Sequence, residues 1–215
     1  MDISTFSKDH FNFESPYFKV VHTLPSQPSF TPRVAPSAHE TKVLQECDAT
    51  LDLERVLLEE YDDTEYDDDD EIRTLDADFS PQELTDNLYT ASFSWATRLR
   101  MILENLYALQ PFHTADVFRA LTNCRLVPSK IAQGLFYDTD DAFDLHIMLG
   151  YFLLSVLFLN RSIESLDATL NHARLLKKHE QKILTDLHEQ AQSLRDELGE
   201  RIFLIHCKIS QTGEI

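Results

Sequence analysis

The sequence predicts an all-α protein: a helical bundle with a long, coiled-coil-like C-terminal helix, preceded by a disordered acidic N-terminal arm. Three observations predict it. First, a seam on strict three–four alternation runs from Ala142, Leu145, Leu149, Phe152 and Val156 down to Leu194, Leu198, Arg201 and Ile205, and 16 of its 19 positions are apolar. A repeat averaging about 3.5 residues is how helices pack along one line. Second, only 4 of 215 residues are glycine and no proline follows Pro128, so little in the C-terminal third interrupts a helix. Third, the net charge of −18 is concentrated: residues 1–80 hold 20 acidic and 6 basic side chains, against 17 and 13 over 81–215. The acidity belongs to the arm, and the nearly balanced remainder has the apolar content of a packed domain.

Residues 1–38 hold five of the eight prolines, Pro16, Pro25, Pro28, Pro32 and Pro36. Such a stretch cannot propagate a helix and predicts an extended, disordered arm. Its aromatics, Phe6, Phe11, Phe13, Tyr17, Phe18 and Phe30, have the character of short docking motifs. Over 39–79 the prolines stop. From Glu40 to Tyr61, Leu44, Cys47, Leu51 and Leu58 share one helical face among acidic residues, which predicts an amphipathic helix that binding could order. The acidic run from Tyr61 to Glu71 that follows repels itself and stays solvated.

Residues 80–160 read as a helical bundle. Ser80, Pro81 and Glu83 compose a helix start, and Leu84, Leu88, Ala91, Trp95, Leu99, Ile102, Leu106 and Leu109 recur at helical spacing until Pro111. A shorter helix after Thr114 is expected to end before Pro128, with another short turn at 129–136. The next helix, about 140–159, is apolar on every side, as the centre of a bundle or a membrane segment would be. Asn160-Arg161-Ser162 reads either as a turn or as a polar collar on a continuous helix. Residues 161–209 then form an amphipathic helix whose seam is interrupted between Lys177 and Glu180, a sign of local unwinding or a change of packing partner. As one helix, 162–207 would span roughly 70 Å and protrude toward another chain. The flanking positions, Met148, Leu153, Leu176, Ile183, Ile202 and Leu204, are too apolar for a two-stranded coiled coil and favour a bundle.

Negative charge opposes direct binding to nucleic acid and favours a basic protein partner for the acidic segment. Cys47, Cys124 and Cys207 are odd in number and have no CxxC spacing, which fits free thiols in an intracellular compartment, cytoplasmic or nuclear. No secretory signal is expected from the N-terminus. The sequence therefore predicts a non-enzymatic interaction protein, an adaptor or complex subunit with no cofactor. It would bind protein partners or itself through Leu166, Leu170, Leu184, Leu187, Leu194, Leu198 and Ile205. Ser15, Thr31 and Ser80 precede prolines and Thr64 lies three residues before Asp67, so these four are candidate phosphosites.

Two further readings compete: a protein anchored in a membrane by 142–159, with Arg161, Arg174, Lys177 and Lys178 on the cytosolic side, and a nuclear or viral phosphoprotein-like regulator. Asp140, Asp141 and Asp144 make a DDxxD string that resembles the aspartate-rich motif of prenyltransferases and class I terpene synthases, which implies a Mg²⁺-diphosphate site. The resemblance covers five residues and no second metal motif follows, so carboxylates placed at a helix N-terminus are the preferred account. His172 and His179, seven apart on one expected helical face, lack a third ligand, and His146 reads as a hydrogen-bonded buried histidine.

Overall fold

Helices form here where the apolar period meets a capping side chain. The computed structural model describes residues 36–62, 86–137 and 139–212, and among them are five α-helices and two short 3₁₀ turns. Helix α1 spans Ala38–Asp62. Ser37 Oγ accepts from the Glu40 N–H at 3.4 Å, and a Glu40 carboxylate oxygen accepts from the Ser37 N–H at 2.6 Å. This reciprocal capping box satisfies two amides that a helix start leaves open. Helix α2 spans Asn87–Tyr107, capped by Asp86, whose side chain accepts from the Leu88 and Tyr89 amides. The expected start at Ser80–Glu83 lies outside the described residues. Pro111 sits in a 3₁₀ turn at Gln110–Phe112 that ends the run as expected.

Helix α3 spans Ala115–Gly134, with Thr114 as its cap, and passes through Pro128 without a break. This corrects the expectation of a helix ending before Pro128 and a separate turn after it. An interior proline costs about 3 kcal/mol or more. Leu126, Val127, Pro128, Ile131 and Ala132 are all buried, and their burial, worth about 1.5–3 kcal/mol for each large apolar side chain, outweighs that local penalty.

Helix α4 spans Ala142–Asn171, so Asn160-Arg161-Ser162 is a collar on a continuous helix. The chain then turns through His172, a 3₁₀ turn at Ala173–Leu175 and the buried Leu176. Helix α5 spans Lys178–Thr212, its start fixed by Glu180, which accepts from the Lys177 N–H at 2.8 Å. The seam defect at 177–180 is therefore a corner between two helices. The single 162–207 helix is overturned: α5 is about 52 Å long at 1.5 Å per residue and folds back along α4.

Helix α2 packs on α3 and α5, α3 on α4, and α4 on α5. The pairs Trp95–Leu187 and Asp86–Arg201 make α2 and α5 antiparallel, and Val127–Ser155 with Arg119–Glu164 do the same for α3 and α4. The result is a closed four-helix bundle, with α1 laid on α3. The expected boundary at 160 falls inside α4, so 80–160 and 161–209 are not separate modules. The core holds Trp95, Leu99, Leu103, Ile131, Phe152, Phe158, Leu159, Leu166 and Leu184.

Candidate functional site

The seven expected partner-binding residues face inward. Leu166, Leu184, Leu187, Leu194, Leu198 and Ile205 are buried in the chain's own core, and Leu170 packs against it half-buried. The reading of these side chains as a free partner-binding stripe is thereby corrected, because their apolar area is already removed from water. The reason is general: an apolar stripe has the same period whether it covers a neighbouring helix of its own chain or another chain's.

Part of the apolar surface left outside, which also includes Met101 of α2 and Leu175 of the corner, is a different face of the same two helices. Phe203 and Leu204 on α5 are 66% and 59% exposed, and Leu153 and Leu157 on α4 are 51% and 38% exposed. Phe203 and Leu204 line a groove with Val156, Gly199 and Ile202, rimmed by Arg195, Asp196 and Glu200. Leu153 and Leu157 lie within one turn of Val156. A Cβ added at Gly199, or at Gly150 of α4, would meet nothing within 4 Å. Neither glycine is required by the bundle's own packing, although each weakens its helix by roughly 0.5–1 kcal/mol relative to alanine.

Helix α1 is held down by charge as well as by Val43 and Cys47, both buried. Glu46 receives Arg119 of α3 at 2.8 Å and Arg161 of α4 at 3.2 Å, and Arg161 also donates to Thr50 Oγ1 at 3.0 Å. Nearer its start, the Tyr107 hydroxyl donates to Glu40 at 2.6 Å and lies 3.1 Å from His39 Nε2. The His113 ring stacks on Tyr107, with centroids 4.2 Å apart. Burial alone would push the Glu40 carboxyl up, but the hydrogen bonds from Tyr107 and Ser37 outweigh it and hold the group down to about 2. The Tyr107 hydroxyl is driven up by burial and by its bond to Glu40. Residue spacing alone did not reveal this corner. The Ser37-x-x-Glu40 capping box was its one local signal, since His113 arrives from a distant turn.

The other candidate residues are accounted for as follows. Asp141 caps α4, accepting from the Phe143 and Asp144 amides at 2.7 and 3.2 Å, so this carboxylate of the DDxxD string serves the helix start. His172 caps the end of α4 and His179 opens α5, both exposed and on opposite sides of the corner. They do not share a helical face. His146 is hydrogen-bonded, 2.7 Å from the Ala142 carbonyl, but it is exposed rather than buried. Cys47 and Cys124 are buried, Cys207 is half-buried, and none is paired. Ser15, Thr31, Thr64 and Ser80 lie outside the described residues. Among the described residues α4 is the one helix long and apolar enough to cross a membrane, and 39% of its apolar window is buried in the bundle.

Comparison of the chain with protein-family models, curated proteins and solved structures gives no match.

Proposed function

We propose that this chain is a non-enzymatic helical interaction protein that binds an amphipathic helix of a partner on the outer α4–α5 face. One observation carries the reading: Leu153, Leu157, Phe203 and Leu204 leave large apolar side chains in water beside a groove that the bundle does not fill. Grouped exposed apolar residues with a polar rim are the usual mark of a docking surface, and a groove between two helices suits a third helix laid across it. Gly150 and Gly199 favour the same reading, since a helix-interior glycine that no internal contact needs lets another backbone approach closely. The acidic segment within 39–79 would meet a second, basic partner. The three unpaired cysteines suit an intracellular setting, cytoplasmic or nuclear.

The membrane-anchor reading is less well supported. Tyr151, Phe152, Ser155, Phe158 and Leu159 of α4 are buried against the other helices, so inserting α4 in a bilayer would dismantle the core.

The reading is tested with a photo-cross-linking residue at Leu204, and another at the exposed Thr185 as control, in the native source. A partner captured at 204 and not at 185, and lost in a Phe203→Glu/Leu157→Glu variant of unchanged helicity, supports it. Equal capture in that variant rejects it. Light scattering on the purified chain separates a partner from a second copy.

A further inference from the structure

The corner where α1 meets the α2–α3 connection brings together side chains that the interaction reading does not use. His39 and Glu40 come from the first turn of α1, and His113 from the turn before α3. One ring nitrogen from each histidine and a carboxylate oxygen of Glu40 lie within 4.8 Å of one another. The two imidazoles meet edge to face with centroids 5.4 Å apart. We propose that this corner binds a divalent first-row transition metal, Zn²⁺ in particular, through His39, Glu40 and His113, with a fourth position open to water.

The donor set is two imidazoles and a carboxylate, which suits Zn²⁺ and is too rich in nitrogen for Mg²⁺ or Ca²⁺. Zinc–nitrogen bonds near 2.0–2.1 Å ask the three donors to draw closer than the 4.8 Å within which they lie, and His113 is the most exposed of the three. The surroundings already supply outer-shell contacts. His113 Nδ1 faces the Tyr107 carbonyl at 3.3 Å, which selects the tautomer with the proton on Nδ1 and leaves the Nε2 lone pair for a metal. His39 Nδ1 and Nε2 lie 3.2 and 3.3 Å from Ser37 Oγ, and Nε2 also lies 3.1 Å from the Tyr107 hydroxyl, so a metal on Nε2 would displace the Tyr107 contact and leave the Nδ1–H to Ser37. Glu40 is oriented by the Tyr107 hydroxyl on one oxygen and the Ser37 amide on the other, and each oxygen keeps a second lone pair. Hydrogen-bonded ligands of this kind are how protein metal sites fix ring orientation and carboxylate geometry.

Because the ligands come from two places in the fold, metal binding would clamp α1 to the bundle. The test uses the full chain and Zn²⁺ or Co²⁺ alone. Zn²⁺ titration is followed by calorimetry, Co²⁺ by its visible absorption, and amide exchange is measured with and without Zn²⁺. One metal per chain, a tetrahedral Co²⁺ spectrum and slower exchange over Val43–Thr50 are expected. His39→Ala and His113→Ala should each weaken binding by more than about tenfold with helicity unchanged, whereas His146→Ala, near the start of α4 and so at the opposite end of the antiparallel α3–α4 pair, should leave it intact. The proposal is overturned by no uptake in the wild-type chain, by uptake that survives His113→Ala, by loss in His146→Ala, or by uptake with unchanged α1 exchange.

Discussion

The Trp95 indole N–H donates to the main-chain carbonyl of Leu187 at 2.9 Å in the centre of the bundle, tying α2 to α5 at one register. Trp95 is the chain's single tryptophan and is fully buried. A buried indole needs such a partner, and here the partner is a carbonyl of the helix it packs against. Trp95→Phe loses that bond and part of the ring volume, and should cost about 2–4 kcal/mol. The loss is read from urea unfolding followed by circular dichroism. A variant as stable as the parent would show that the α2–α5 register is set elsewhere.

The same bond shows why the seam was legible and its purpose was not. Spacing alone located the residues of α4 and α5, and it marked 177–180 as a defect, which proved to be the corner. It could not say that the partner helix was already in the chain, because burial against α2 or against a stranger leaves the same apolar stripe. Pro128 misled for the opposite reason: the local rule is sound, but Leu126, Val127 and Ile131 around it are buried deeply enough to override it. The outer face did leave a trace in the sequence, since Ile202 and Leu204 made the stripe wider than a two-stranded coil requires. His113 beside His39 left none, for their meeting depends on how α1 lies on α3.

Leu187 and Phe203 should therefore respond in opposite ways. Leu187→Ala opens a cavity in the core and should cost about 2–5 kcal/mol, so a Leu187→Asp/Leu194→Asp variant should unfold the chain itself rather than dissolve an assembly. Phe203→Glu replaces an exposed ring and should stay within about 0.5 kcal/mol of the parent while removing partner capture. Thermal unfolding of the two single variants side by side decides it. Equal losses would mean that Phe203 is as buried as Leu187.

The glycines divide in the same manner. A Cβ at residue 134 would fall 2.7 Å from Cε1 and 2.9 Å from Cδ1 of Phe152, a fully buried ring. Gly134→Ala should force α3 and α4 apart and cost about 1–3 kcal/mol. Gly150→Ala and Gly199→Ala meet open space and should stabilise their helices by about 0.5–1 kcal/mol. If the 199 variant gains stability and loses partner capture, the glycine is there for the partner. Gly134→Ala at parental stability would show that the ring can yield.

Ser165 tests how strictly the core enforces polar pairing. Its hydroxyl is buried with no hydrogen-bond partner, unlike Ser155 and Ser162 on the same helix, which donate to the carbonyls of Tyr151 and Phe158 at 3.0 Å each. An unpaired buried hydroxyl forfeits its hydration without return. Ser165→Ala should raise stability by about 0.5–1.5 kcal/mol, whereas Ser155→Ala should be neutral or destabilising. A loss on Ser165→Ala, measured by denaturant midpoint, would show that the hydroxyl has a partner in solution.

Alkaline pH should weaken the fold through its buried thiols. Burial pushes Cys47 up to about 11 and Cys124 up to about 12 from an ordinary 9.0. Both thiols are thus held neutral in the folded chain while the unfolded chain releases their protons. The sign follows: this stability is fully present below 9.0 and is lost as pH rises through about 11 and then about 12. Burial also raises Tyr89 and Tyr107, which adds to the same trend. The denaturant midpoint should accordingly fall on the alkaline side of 9.0, and less steeply in a Cys47→Ala/Cys124→Ala variant than in the parent. Under native, mildly alkaline conditions iodoacetamide should label the half-buried Cys207 and spare the other two until the chain unfolds. Labelling of Cys124 at the rate of Cys207 would mean that α3 opens locally, and the alkaline loss of stability would then be assigned to other groups.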